Sequence, residues 1–450
     1  MTRVSQTSPG QPVPRRTRGE VFTYAGFELT ADGVLACHYT LDEVRFTETF
    51  EVGEGDWTSP AALAVARLVF LLAGVSYYKT GAPPRIVGPA DGLTPLERAF
   101  VRDYHLHGLA EFALTDGHDL SDLVVEGPDR QAAPVAADSV PGRPLVPFGG
   151  GIDSVVVVEQ IRASLPEAAL FVANTSDVPF APIEDTALIS GLPVRRARRR
   201  LDPQVLESRQ RGWFNGHVPV TGIISALALL VAAGTGRDRV VMSNEHSASE
   251  PTAMIANGVA VNHQWSKGIA FETAFRAVLA ESVTGLDYYS ALRPYSELWV
   301  SRRFADLPAY HLAFRSCNKA FYVDASQRLA QWCGECDKCC FIDLILSPYV
   351  DRAALEEIFG GREPLGRADL EDEFRSLLGE PGRPKPLECV GDEGECRRAV
   401  LLAVARPDRA DNALLGSLAA YVEGTGLPVP DERTLLGMQG PHFLPDDVRA

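Results

Sequence analysis

The sequence predicts an α/β protein built on a doubly wound parallel sheet, with an N-terminal α+β domain before it and a small four-cysteine zinc subdomain after it. Three observations carry this prediction. Leu145-Val146-Pro147-Phe148-Gly149-Gly150-Gly151-Ile152-Asp153-Ser154, continued by Val155 to Ile161, reads as strand, glycine turn and helix. Short apolar strands then alternate with helical segments, the pattern of a parallel sheet that binds ligands beyond the carboxyl ends of its strands. Cys317, Cys333, Cys336 and Cys339 have the spacing of one tetrahedral metal site.

The elements follow in order. Residues 1–20 hold Ser, Pro, Gly and Arg without an apolar run, so they read as a disordered tail rather than a secretory signal. Alternation around Phe22, Tyr24 and Phe27, then Val34 to Tyr39, then Arg45 to Phe50, predicts a three-stranded antiparallel meander. Helices are expected from Pro60 to Tyr78 and from Pro95 to Phe112, the second with Thr94 as N-cap and Pro95 at its first position. The Pro-, Ala- and Gly-rich stretch from Gly127 to Pro147 reads as a domain boundary. Beyond the glycine turn come a strand at Ala169 to Asn174 running into Thr175-Ser176-Asp177, and a helix at Ile183 to Ser190. An extended piece starts at Pro193-Val194, followed by a buried helix at Val220 to Ala233 and a strand at Arg239 to Ser243 ending at Asn244-Glu245. The expected domains are 21–140 (α+β), 141–310 (nucleotide-binding α/β), 311–350 (zinc-binding) and 351–450 (helical).

Composition narrows the function. With 450 residues, 46% of them hydrophobic, the chain has side chains enough for two or three cores. A net charge of −16 argues against general affinity for nucleic acid or anionic membranes. The apolar run Ala61 to Tyr77 is interrupted by Arg67, and Val218 to Ala233 falls short of the ~20 residues of a membrane span, so both read as core helices of a cytoplasmic protein.

Three successive glycines let the backbone turn sharply against a ligand, and Ser154 is expected to cap the helix, leaving its first N–H groups free for an anion. No lysine follows, as a Walker loop requires. A dinucleotide fingerprint would place glycine at Ser154 and an acidic residue at Asn174. A plain tight turn is the other reading. Gly150, Gly151, Asp153 and Ser154 match a Ser-Gly-Gly-x-Asp-Ser pattern, with Gly149 in place of the first serine, and the segment resembles the loop of the ATP pyrophosphatases. That resemblance implies ATP held by its phosphates on Gly149, Gly150, Gly151 and Ser154, with Asn174 at the next strand end. Asp153 would orient the loop or hold Mg2+.

Of eight cysteines, Cys317, Cys333, Cys336 and Cys339 suit a structural zinc ion; a redox pair is the alternative, and a disulfide framework does not fit a protein without signs of secretion. Cys340 could compete for a ligand position, and Cys37, Cys389 and Cys396 read by default as free buried thiols.

The loop together with Ser316-Cys317 and the cysteine cluster resembles 7-cyano-7-deazaguanine synthase, which has no counterpart of the N-terminal meander or the last hundred residues. A wider set of segments fits another family. Gly149 to Ser154, Asn215 to Thr221, Ser243-Asn244-Glu245, Val261 to Lys267, Pro294 to Leu298, Ser316-Cys317-Asn318, the cysteine cluster and Lys385 to Gly391 together look like the UDP-N-acetylmuramoyl-L-alanyl-L-glutamate epimerases of peptidoglycan synthesis. The resemblance implies inversion of the terminal L-glutamate of a UDP-linked muramoyl dipeptide, with ATP and Mg2+ consumed to give AMP and pyrophosphate. An α-proton beside a carboxylate is hardly acidic, and adenylation removes that charge and creates an electron sink. By residue type, His217, His263, Glu245 and Cys389 are the acid/base candidates, each histidine being equally readable as a structural residue. Lys267 and Arg293 are candidates to bind substrate carboxylates or phosphates. The run Arg195 to Arg200 reads either as an attractor of anionic nucleotide or as a solvated edge strand. Two rival classes stay open: a nucleobase- or tRNA-modifying enzyme, which the acidic balance disfavours, and a non-catalytic nucleotide-binding protein, which has no need of the polar residues between His217 and Lys267.

Overall fold

The computed structural model describes residues 17–174, 178–251, 253–254, 260–320 and 328–448. Most of the expected N-terminal tail and all of Thr175-Ser176-Asp177 lie outside the described residues. The end of that tail is held in place, with Arg18 paired to Asp122 at 2.9 Å and Gly19 N–H donating to the Gly81 carbonyl at 2.8 Å.

One ten-stranded sheet runs through the molecule. Strands β1 (Val21–Leu29), β2 (Val34–Leu41) and β3 (Val44–Glu51) form the antiparallel meander, and β4 (Arg85–Val87) and β5 (Val124–Glu126) extend it in parallel beyond β1. The other half is parallel throughout: β6 (Val140–Pro147), β7 (Ala169–Asn174), β8 (Val194–Arg200), β9 (Arg237–Met242) and β10 (Asp287–Ser290). The order is β10-β9-β6-β7-β8-β3-β2-β1-β4-β5. From β6 the chain builds outward through β7 and β8, then returns to the other side of β6 for β9 and β10. The direction reverses between β6 and β9, where a parallel sheet opens a crevice at its carboxyl edge.

The proline-rich stretch read as a boundary ends in β6, an interior strand of this sheet. Prolines are tolerated there because the ladder is interrupted: the register slips between Arg237 and Arg239, and the N–H groups of Gly142 and Arg143 donate instead to the Asp238 carboxylate, each at 3.0 Å. The arginine run is likewise interior and is not an edge strand. β8 lies between β7 and β3, and its guanidinium groups are engaged within the protein: Arg196 with Glu184, Arg200 with Glu51 and, buried, Arg199 with Glu48 and with Ser76 at 2.8 Å. Two charged strands can pair inside the sheet because the negative charges lie on neighbouring elements.

The helices that frame the sheet and the cleft include α1 (Pro60–Ala73), α2 (Pro95–Gly108), α3 (Ala110–Asp116), α4 (Ile152–Arg162), α5 (Ala181–Ser190), α6 (Val220–Gly234), α7 (Ile269–Ser282), α8 (Glu297–Ala305) and α9 (Asp337–Leu346), and further helices follow towards the C-terminus. Thr94 and Glu97 close a reciprocal capping box at α2. The helix expected over 95–112 breaks at Leu109, where α3 takes a new direction. Alternate residues of the same strands feed two cores. Leu145, Phe171 and Val240 pack with α1, α6 and α7, whereas Val146, Leu170, Val172 and Val241 pack with α4, α8 and α9 on the opposite face. Pro60–Tyr78, the stretch among the described residues long and apolar enough to cross a membrane, is buried in the first core, with Arg67 neutralised there by Glu97 and Asp91.

These contacts rank two neighbouring ion pairs. Glu48→Ala strands the buried Arg199 guanidinium and is expected to cost about 3–5 kcal/mol. Glu51→Ala removes the exposed Arg200 pair and should cost about 0–1 kcal/mol. Urea denaturation midpoints of the two variants, measured side by side, check the difference.

Candidate active site

The glycine turn leaves β6 at Pro147 and enters α4, whose N-cap is Gly151. Gly150 has φ +72°, and a Cβ there would stand 2.9 Å from the Thr186 hydroxyl, so the position is closed to other residues. The expected role of Ser154 needs correction. It is not the cap: it lies within the first turn, buried, and its hydroxyl donates to the Gly151 carbonyl at 3.1 Å. Among the described residues no side chain caps α4, so its leading N–H groups stay available at the helix end where partial positive charge gathers.

A cleft of about 620 Å³ opens here, lined by Gly149, Gly151, Asp153 and Ser154 on one side and by Ser243 and Glu245, beyond the end of β9, on the other. Asn174, at the end of β7, pairs in register with Arg198 and is not among the lining residues. Lys267 enters from a loop braced by its own side chains: Asn262 donates to the Ala248 carbonyl at 2.9 Å and accepts from the Gln264 N–H at 2.7 Å. Arg293 does not reach the cleft. Its guanidinium is buried, bonded to Glu272 at 2.9 Å, to the Glu245 carbonyl at 2.8 Å and to the Lys267 carbonyl, so it fixes the main chain under two lining residues.

Residues that flank the cysteine cluster form another wall. Cys317, Cys333, Cys336 and Cys339 converge, with Cys333 and Cys336 sulfurs 3.6 and 3.5 Å from that of Cys339. Four thiolates about 2.3 Å from one zinc ion would stand ~3.8 Å apart, so the donor set and spacing fit that metal. Cys340 is buried outside the four, as are Cys37 and Cys396. Residues flanking the cysteines face the cleft: Arg315, Ser316 and Asn318 around Cys317, and Lys338 before Cys339. Arg315 N–H donates to the Gly150 carbonyl at 3.3 Å, and the Lys338 ammonium donates to the Cys389 carbonyl. No local motif marks Arg315 or Lys338 in the sequence apart from their place beside the cysteines.

At the far end Cys389 meets the Lys267 ammonium at 3.3 Å. His263 bonds to Glu111, brought in by α3, and His217 lies 3.6 Å from the same carboxylate oxygen, with the two imidazole rings 4.6 Å apart. Glu111 carries no local motif in the sequence, and only the fold brings it to the two histidines.

The MurL N-terminal domain family matches residues 14–291, and the MurL C-terminal domain family matches residues 313–431. The chain is 39% identical over 449 residues to a protein of Salinispora tropica named UDP-N-acetyl-alpha-D-muramoyl-L-alanyl-L-glutamate epimerase, covering 96% of each chain. The chain belongs to this epimerase family. Relatives of the same name in Xanthomonas oryzae pv. oryzae and a Micromonospora species are each 36% identical, covering 92% and 98% of their own lengths.

The electrostatics of this epimerase-family cleft are unusual for side chains so close together. Burial, and then the charge of Glu245, push Asp153 up to about 7 against the pull of Lys338 and Lys267, and its Oδ1 is buried without a partner among the described residues. An orphaned carboxylate oxygen beside Glu245 fits a hard cation such as Mg2+. Burial works against the Cys389 thiolate, but Lys267, the hydrogen bond with His263 and the charge of Lys338 bring the thiol down to about 6. Burial disfavours the His263 cation, yet hydrogen bonds with Cys389 and Glu111 hold it up to about 9. Burial and the neighbouring His263 push His217 down to about 4, so it is neutral when His263 is charged.

Protein purified without added metal is expected to carry about one zinc per chain, and Cys336→Ala to lose it. Because Arg315 and Lys338 hang on the cluster, the variant should also become protease-sensitive around 315–340. Elemental analysis and limited proteolysis check both; a metal-free chain with wild-type resistance would contradict the assignment.

Proposed function

We propose that the chain is an ATP-dependent epimerase acting in the cytoplasm, which inverts the terminal L-glutamate of UDP-N-acetylmuramoyl-L-alanyl-L-glutamate through an acyl adenylate, releasing AMP and pyrophosphate. The family relationship supports the reaction class, since the named relatives are epimerases for that substrate. One observation supports the mechanism: an uncapped helix end suited to phosphate and a low-pKa cysteine share one cleft. In this reading the five parallel strands are a core of the ATP pyrophosphatase type, and the binding edge is the reversal between β6 and β9.

Backbone N–H groups from Gly149 to the start of α4 hold phosphate oxygens, and Arg315, Lys267 and Lys338 offset the charge that builds up as pyrophosphate leaves. Bound at Asp153 and Glu245, Mg2+ would neutralise phosphate charge during adenylation. Once the glutamyl carboxylate is joined to AMP as a mixed anhydride, with pyrophosphate as the leaving group, its α-carbon becomes acidic enough for a side chain to deprotonate. Cys389, ionised beside Lys267 and His263, takes or returns the proton on one face, and Glu111 and His217 tune His263. A nucleotide-binding protein without catalysis has no use for an ionised cysteine held against a lysine and a histidine.

Incubation in heavy water with ATP should place deuterium at the α-carbon of the D-glutamyl product, and substrate without ATP should remain unlabelled. Cys389→Ala should suppress inversion at least about 100-fold while reducing AMP formation far less, since adenylation precedes proton removal. Chiral analysis and AMP assay on the same samples decide the matter, and inversion without ATP would end the proposal.

A pH profile follows from the Cys389–His263 pair. Activity requires the thiolate, which is lost as pH falls through about 6, and the imidazolium, which is lost as pH rises through about 9. The profile of kcat/KM should therefore be bell-shaped with limbs near these values. Replacing His263 with Gln should move the acidic limb upward, because the thiolate loses its cationic neighbour.

A further inference from the structure

A second cavity, of about 360 Å³, lies near the histidine pair. Asp116, His118, Arg209, Trp213, Phe214 and Asn215 line it. Two covalent paths connect it to that pair. Along α3, Glu111 stands at the histidine pair and Asp116 at the cavity, and five helical residues rise about 7.5 Å. Along the chain, Phe214 and Asn215 line the cavity and His217 contacts Glu111, a separation of three residues that spans at most about 10 Å. Contacts run from Lys267 through Cys389, His263 and Glu111 to His217, and the two paths lead from there to this cavity.

We infer that this cavity receives the phosphorylated sugar of the substrate, an inference that rests on the epimerase reading. From the glutamyl α-carbon, two peptide-like spacings of about 3.8 Å each and an ether linkage carry a muramoyl peptide ~10 Å before its pyranose ring begins. That reach matches the spans of about 7.5 Å and at most about 10 Å from the histidine pair into the cavity, with an α-carbon at Cys389 one hydrogen-bonded contact away from His263. The lining has the chemistry such a group needs. Phe214 and His118 form an aromatic wall with ring centroids 4.1 Å apart, and Trp213 adds a further ring, surfaces on which the C–H face of a pyranose packs. Asn215 accepts from the Lys79 ammonium at 2.7 Å through its carbonyl, which leaves its amide N–H groups to donate. The Asp116 carboxylate accepts from sugar hydroxyls. Arg209 is exposed and makes no ion pair among the described residues, a guanidinium set at the mouth of the cavity for a phosphate. Its neighbour Arg211, by contrast, is taken up by Glu207 and the Trp213 ring.

The test uses UDP-N-acetylmuramate, which carries the sugar and phosphates without the dipeptide, as a probe in calorimetry on the full-length protein. Wild type should bind it, Arg209→Ala should weaken binding about tenfold, and Arg209→Lys should recover part of the loss. In turnover, Arg209→Ala should raise KM for the UDP-linked dipeptide by a similar factor while KM for ATP stays unchanged. Arg209 is exposed, so its variants test binding rather than folding. Equal KM and equal probe binding in wild type and Arg209→Ala would overturn the assignment, as would failure of wild type to bind the probe while inverting the full substrate. Arg209-dependent probe binding by a protein that inverts nothing would uphold the sugar site and bring down the epimerase reading instead.

Discussion

Lys267 and Lys338 are the charges on which the cleft depends. Asp153, Glu245, Glu388 and the Cys389 thiolate face one small volume, and without two ammonium groups among them that much negative charge could not be held together. Their neighbours bear the marks of the balance. Asp153 sits high because burial and Glu245 outweigh the two lysines, and Cys389 sits low because the lysines outweigh burial. Arg293 secures the arrangement from beneath by bonding the main-chain carbonyls of both Glu245 and Lys267, so the spacing between a carboxylate and an ammonium is set by a buried guanidinium that itself never meets the cleft.

The cysteine cluster places the other lysine. Lys338 stands in the first turn of α9, whose N-cap is Cys336, and Arg315 precedes Cys317 by two residues. Four thiolates drawn to one ion would pull these two segments against the glycine turn, where Arg315 already bonds the Gly150 carbonyl. A site closed to substrate can in this way decide the electrostatics of one that is open. The division of labour is physical: four soft sulfur ligands suit a zinc ion, and the hard carboxylate oxygens of Asp153 and Glu245, which line the cleft, suit a cation such as Mg2+.

The N-terminal half contributes more than support. Because β8 pairs with β3, the meander and its helices become an extension of the parallel half, and α3 delivers Glu111 to the histidine pair. The joint is held by Arg199 and Glu48, a buried pair inside a strand interface that would otherwise set arginine against the core. The same continuity brings Asp116 and His118 beside Trp213 and Phe214, so the second cavity exists only because the two halves share a sheet.

Much of this was legible in the chain. The meander, the capping box at Thr94, the helix over 220–233, the strand and glycine turn before α4 and the four converging cysteines all follow from local periodicity, capping chemistry or ligand spacing, which act over a few residues and leave a pattern in the sequence. Other features needed the tertiary structure. The arginine run looked like an edge because its partners, Glu48, Glu51 and Glu184, lie up to 151 residues away, and the prolines within β6 looked like a linker because Asp238, which takes the N–H groups of Gly142 and Arg143 between them, is 96 residues from Gly142. Arg293 carries the residue type of a substrate clamp but is a buried brace, and Glu111 carries no signal at all, since a lone glutamate on a helix is indistinguishable from a solvated one until folding places two histidines against it. The sequence alone determined which elements form and which residue types are at hand, because those depend on short-range geometry. Which charges are neutralised, buried or left facing the cleft was decided only by tertiary structure, because desolvation and Coulomb forces act between groups that the fold, not the chain, makes neighbours.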